Sequence, residues 1–166
     1  MEAPLICLRA AQFDDWPLLL DWFNQPDSLA AKLKTNGPIG VEAHKGWLRR
    51  FLSEDAGSIF IVTLNETPIG QIRFQPDAKG QFEIDVYVIP GRRGDGVAQE
   101  ALRLGMARVS EKRGPATFLA QVKTENDASR RLFLRLGFQK AGSWDGYTNY
   151  RRDLDAQDLA ERAGQA

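Results

Sequence analysis

Cysteine and histidine are almost missing from this chain: Cys7 and His44 are the single representatives of their kinds among 166 residues. One cysteine excludes an intrachain disulfide, and one of each excludes a Cys/His zinc cluster, which needs several such ligands. Cys7 lies in an apolar, strand-like stretch where a buried thiol is the usual outcome, so an activated Cys7 and His44 pair is set aside. Charge of one sign is missing too, because 22 Lys and Arg balance 22 Asp and Glu. Bulk charge therefore points to neither a nucleic-acid nor a membrane partner. No apolar run approaches the roughly 20 residues of a membrane span, and the start MEAPLICLRA lacks the basic-then-apolar order of a signal peptide. The expected location is the cytoplasm. Neither an internal repeat nor a linker divides the chain. With 43% apolar and 27% charged residues, residues 1–154 are expected to make one domain, followed by a polar tail at 155–166.

What is present is a succession of periodic segments. Pro4 to Arg9 reads as a strand, and Asp14 or Asp15 followed by Pro17 opens a helix that turns Trp16, Leu19, Leu20 and Phe23 inward. That helix fades near Asn24 to Pro26. After the polar stretch KTNGPIG, the segment Glu42 to Leu52 places Trp47, Leu48, Phe51 and Leu52 on one helical face, with His44 one turn back. Ser58 to Leu64, Pro68 to Gln75 and Gln81 to Ile89 read as three successive antiparallel strands. Ala98, Leu102, Gly105, Met106 and Val109 recur at helical spacing up to Arg113-Gly114-Pro115. Ala116 to Val122 is a further strand. Asn126 caps a helix bearing Leu132, Phe133 and Leu136 that Gly137 stops, and Phe138 to Trp144 with Tyr147 to Leu154 forms a hairpin around Asp145-Gly146. The order is mixed α/β.

The turn Arg92-Arg93-Gly94-Asp95-Gly96-Val97-Ala98 sits where strand gives way to helix. The first N–H groups of a helix have no intrahelical partner, and the macrodipole is positive at that end. Glycines that let the backbone come close make this an anion site, and a phosphate-bearing ligand is the natural occupant. The turn lacks the Lys-Ser/Thr of a P-loop and the third glycine of the dinucleotide fingerprint, so ATP and NAD lose ground. A tight loop with its arginines in water is the bland alternative. On the preceding strand, period two puts Glu83, Asp85 and Tyr87 on one face and Phe82, Ile84, Val86 and Val88 on the other.

These stretches together resemble the GCN5-related N-acetyltransferase (GNAT) superfamily over roughly residues 5–154. The turn is similar to its acetyl-CoA pyrophosphate loop, usually Gln/Arg-x-x-G-x-G/A. E-I-D-V-Y-V-I-P before the loop, N-D-A-S-R-R-L-F-L-R-L-G-F at Asn126 to Phe138, the early W-F-N-Q-P and H-K-G-W at His44 to Trp47 match as well. The resemblance implies an α/β (α+β) fold with a central mixed, mostly antiparallel six- to seven-stranded sheet, flanked by about four helices and splayed at the acetyl-CoA site. It implies acetyl-CoA as cosubstrate, held by Val86, Tyr87 and Val88 of the strand, by Arg92, Arg93, Gly94, Asp95, Gly96, Val97 and Ala98 of the loop, and by Asn126, Ser129 and Phe133. N-capping alone already explains Asn126. Two departures stand out. Gly91 takes the place of the usual Gln or Arg, and Phe133 that of a tyrosine that in many relatives protonates the departing thiolate.

Glu83 matches the strand glutamate that some relatives use as base, and Asp85 is the alternative. The bland alternative for either carboxylate is a plain surface or ion-paired group. Within the superfamily, D-W-F-N-Q-P, H-K-G-W and P-I-G-Q-I-R-F are similar to bacterial nonulosonic-acid pathway enzymes that acetylate the 4-amino group of a UDP-linked aminosugar. That resemblance implies acceptor contacts from Asn24, His44, Trp47, Gln71 and Arg73, against which stands helix-face packing or ordinary surface roles. A ribosomal-protein-like N-terminal acetyltransferase and a non-catalytic acyl-CoA-binding module are the other readings. The partners expected are a small-molecule amine and, as monomer or homodimer, at most a second copy of the chain.

Overall fold

The computed structural model describes residues 4–32, 37–55, 57–155 and 157–158. In chain order these form β1 (Ile6–Ala10), α1 (Trp16–Phe23), α2 (Pro26–Ala31), α3 (Val41–Ser53), β2 (Ser58–Leu64), β3 (Thr67–Pro76), β4 (Phe82–Val88), α4 (Val97–Arg113), β5 (Ala116–Lys123), α5 (Asp127–Arg135), β6 (Gln139–Trp144) and β7 (Tyr147–Leu154). The strands make one mixed sheet in the order β1-β2-β3-β4-β5-β7-β6. Every neighbouring pair is antiparallel except β4 with β5. No described helix is long and apolar enough to cross a membrane.

Alternation along the strands divides the core into two layers. On one face Ile72, Phe74, Phe82 and Phe118 meet Ala101, Leu102 and Met106 of α4, together with Phe133 and Leu136 at α5. On the other, Ile59, Ile61 and Tyr87 meet Leu19, Trp22 and Phe23 of α1 and Leu48 of α3. Full burial of one such side chain contributes about 1.5–3 kcal/mol, so the two layers supply most of the driving force for the fold. The α4 axis can approach the sheet closely because Gly105 faces it: a Cβ there would lie 2.8 Å from the Phe74 ring and closer still to Ile72 Cδ1.

The period-two faces expected of β4 are those observed, since Tyr87 packs in one layer while Phe82 and Val88 pack in the other. Other local expectations needed correction. Neither Asp14 nor Asp15 caps α1 through its side chain. A single 3-10 turn over Phe13–Asp15 precedes the helix, and Asp15 accepts the Gln12 N–H at 2.8 Å and two N–H groups of Arg9, each at 2.8 Å. Cys7 is exposed rather than buried, because β1 is an edge strand paired only with β2. Leu52 points outward at the end of α3. The short helix α2 falls where only a fading chain was expected, with Pro26 fixing φ in its first turn. Residues 34–36 of the KTNGPIG stretch and, apart from 155, 157 and 158, those of the tail lie outside the described residues.

One irregularity of the sheet creates the site. β4 and β5 pair only at Phe82 with Phe118 and Glu83 with Leu119. Beyond that point β4 stays paired with β3 as far as Val88, and β5 stays paired with β7 as far as Lys123. Each prong is held by its own antiparallel neighbour, so the two diverge and leave a fork whose base is Glu83.

Candidate active site

The fork opens into a cleft of about 1300 Å3. Strand geometry decides which amides face it. Ile89 donates its N–H to Ile69 O at 2.9 Å, so the alternate residues Tyr87, Asp85 and Glu83 turn their amide edges toward β3. Val86 and Val88 therefore turn theirs toward the side from which β5 has departed. Both residues line the cleft, and an unpaired N–H there can serve a carbonyl oxygen that develops negative charge.

Past β4 the chain makes a single turn over Pro90–Arg92 and then enters α4 through Gly94 at φ 84° and Gly96 at φ 76°. Such angles disfavour any side chain, and a Cβ at either glycine would meet nothing within 4 Å, so backbone conformation and not crowding selects glycine here. Gly96 is the N-cap, and no side chain caps the helix. The N–H groups of Val97, Ala98 and Gln99 are thus left at the positive end of a 17-residue helix, and these three residues line the cleft beside Arg92. These are the requirements of a diphosphate site, and the residues fit that group. Across the cleft Asn126 Oδ1 accepts the Ser129 N–H at 3.1 Å, and both residues line the wall. Arg131 and Arg135 of α5 line it too. Their i, i+4 spacing, which puts them on one helix face, was the available signal for this pair.

Arg93 also lines the cleft and is anchored there. Its Nε donates to Val88 O at 2.8 Å, its guanidinium pairs with Asp27 of α2, and it lies 5.3 Å from the centre of the Tyr87 ring. These contacts brace the loop against α2. Burial pushes the Tyr87 hydroxyl above its usual pKa, with nearby Asp27 adding to the effect.

The opposite wall carries both candidate bases. Glu83 lines the cleft at the base of the fork. Asp85, one pleat further on, accepts Gln71 Nε2 on Oδ2 at 2.7 Å. Arg73, Trp47 and His44 line this wall, together with Lys32, which no pattern in the sequence distinguished. His44 is 1% exposed and sits against the rings of Phe23 and Trp47. Burial lowers its pKa, against the opposing effect of a backbone hydrogen bond to Trp16.

Four expected residues stand outside the cleft lining. Asn24 is a loop clamp, donating to Ile39 O at 2.9 Å and accepting Ile39 N–H at 2.8 Å. Gln71 is fully buried behind Asp85. Asp95 projects from the loop into solvent. Phe133 is 4% exposed, stacked on Tyr150 and edge-on to Phe138. Its neighbour Leu132 takes the place on the cleft wall.

Comparison with known proteins agrees with this geometry. A family model described as the acetyltransferase (GNAT) domain matches residues 6–139. No curated protein matches the sequence. A solved domain from Methanocaldococcus jannaschii superposes with a TM-score of 0.79 at 20% identity, covering 92% of this chain and 100% of that one. The yncA protein of Salmonella typhimurium, in a structure with acetyl-CoA, gives 0.73 at 21% identity over 91% and 95% of the two chains. A ribosomal-protein-alanine N-acetyltransferase from Brucella melitensis gives 0.72 at 21% over 89% and 99%. At such identities the likeness shows the fold, and the family model extends it to the family. The chain belongs to the GNAT acetyltransferases, enzymes that take an acetyl group from acetyl-CoA and place it on an amine.

Proposed function

We propose that the cleft passes acetyl directly from acetyl-CoA to a primary amine, with Glu83 as the base and the 4-amino group of a UDP-linked aminosugar as the acceptor. The observation that carries the reading is the fork past Glu83, which leaves amide edges and a carboxylate around one opening. Acetyl-CoA supplies the thioester when bound. The free first turn of α4, with Gly94, Gly96 and Arg92, suits its diphosphate, and the amides of Val86 and Val88 suit its carbonyl oxygen. Glu83 takes a proton from the incoming ammonium, the amine nitrogen bonds to the carbonyl carbon, and the carbon–sulfur bond breaks. The nitrogen then gives up its second proton, which reaches the leaving thiolate through water, so that the products are the amide and the free thiol, with the first proton held on Glu83. A thiol of pKa about 8.5 leaves readily near neutral pH, so a phenylalanine at position 133 in place of an acid is compatible with turnover. Asp85, one pleat closer to the loop and bonded to Gln71, is the alternative base. The Trp47 and His44 wall suits a sugar or uracil face.

A thiol-release assay with acetyl-CoA tests this. UDP-4-amino-sugars are expected to turn over and peptides with free N-termini are not. Glu83→Gln is expected to lower kcat by about 10²-fold or more at neutral pH while acetyl-CoA affinity stays nearly unchanged. The deficit should shrink at high pH as free amine accumulates. A wild-type rate in Glu83→Gln removes that residue from the mechanism. Peptide turnover without sugar turnover identifies a protein N-terminal acetyltransferase, and binding without any transfer identifies an acyl-CoA-binding module.

A further inference from the structure

We propose that Arg73 and Lys32 form an anion-binding subsite on the acceptor wall, which selects amines that also carry a phosphate or carboxylate. The inference rests on the acetyltransferase reading above and adds the group that the acceptor must bear.

Arg73 is partly buried on β3 and lines the cleft. Its guanidinium carbon lies 5.2 Å from the centre of the Trp47 ring and 5.7 Å from that of Phe23. Among the described residues it has no hydrogen-bond or ion-pair partner. The carboxylate best placed to pair with it is Asp85, its register partner on β4. Asp85 bonds Gln71 instead, at 2.7 Å. Contact with aromatic rings steadies a guanidinium without using its N–H donors, and those donors match the oxygens of a carboxylate or phosphate. A partly desolvated cation with unused donors is costly until a ligand or solvent meets them.

A second cation converges on the same ring. Lys32 Nζ lies 4.5 Å from the Phe23 ring centre and donates to Phe23 O at 3.3 Å. Burial pushes the Lys32 ammonium below its usual pKa; Asp85 opposes that shift and the Arg73 charge adds to it. Arg73 and Lys32 are thus two like charges held close on a wall that also carries Asp85 and Glu83. An anion seated between Arg73 and Lys32 would relieve their mutual repulsion.

His44 completes the subsite. Its Nε2 is buried and has no partner among the described residues, while a backbone bond to Trp16 engages the imidazole on its other side. His44 lines the cleft beside Phe23 and Trp47, so its Nε2 is a polar atom that a ligand resting on Arg73 would satisfy.

The test uses the full chain and matched amines: glucosamine 6-phosphate against glucosamine, and a free amino acid against its amide. The anionic member of one pair is expected to exceed its neutral partner by about ten-fold or more in kcat/KM, the scale of a charge-assisted hydrogen bond. Which pair responds tells phosphate from carboxylate. Arg73→Gln should close that gap by raising KM for the anionic amine, Arg73→Lys should restore part of it, and acetyl-CoA affinity should hold. Separately, calorimetry on protein saturated with coenzyme A should register UDP binding that Arg73→Gln weakens about ten-fold. Acetyl transfer with no preference for anionic amines overturns the subsite and leaves the enzyme reading standing. UDP binding with no transfer to any amine does the reverse. Weakened acetyl-CoA binding in Arg73→Gln would assign the cation to the cosubstrate and also overturn the proposal.

Discussion

His44 is the only histidine in the chain, so the pH dependence of stability near neutrality reports on it with little interference. Burial holds its pKa below the ordinary value in the folded protein. The unfolded chain binds a proton at about pH 6.5 and the folded chain resists it. Stability is therefore full above that pH and is lost as pH falls through the folded value. Urea melts between pH 7.5 and about 5 are expected to show this decline, and His44→Phe, which suits the aromatic surroundings, to flatten it. An equal slope in both proteins would mean that His44 titrates in the folded state as it does in the unfolded one. The histidine was visible in the sequence as one residue on a helix face. Its unpartnered Nε2 was not, because the Phe23 and Trp47 rings that bury it belong to two different helices.

Among the elements, α4 and β4 carry the tightest fits. Replacing Gly105 by Ala gains about 1 kcal/mol of helix propensity, but the added carbon meets Ile72 and Phe74 in a filled core, which costs about 1–3 kcal/mol. A net loss of about 1 kcal/mol is expected in thermal or urea unfolding. Gly70→Ala should cost more, because its Cβ would overlap the Tyr87 carbonyl oxygen and lie 3.1 Å from Val88 Cα, and backbone cannot rotate away. That variant should also lose turnover, since the displaced segment holds the Val88 amide. A stable Gly70→Ala with full activity would show that β4 tolerates displacement. The two faces of β4 were legible in the sequence, as alternation is a property of consecutive residues. α2 was not legible: Pro26–Ala31 is too short for a periodic signal.

For the whole molecule, α2 ties both prongs of the fork. Asp27 pairs with Arg93 of the loop after β4, and the Ala30 carbonyl accepts from Lys123 at the end of β5. The opening is thereby preformed, and acetyl-CoA at about 100 times its Kd is expected to add about 2.7 kcal/mol of stability by mass action. Scanning calorimetry should register a clear rise in Tm, and none would sink the reading of the Gly94 and Gly96 loop. The sequence by itself determined the mixed α/β order, the glycine turn at the mouth of α4 and the placing of Glu83 and Asp85 on one strand face. Each of these follows from residues near one another in the chain. Only the tertiary structure decided that β4 and β5 part after Glu83, that Arg93 bonds Val88 and Asp27, that Phe133 packs in the core, and that Arg73 and Lys32 meet over Phe23. Each of those depends on which distant segments become neighbours, and strand divergence and the pairing of charges are set by that meeting, not by local spacing.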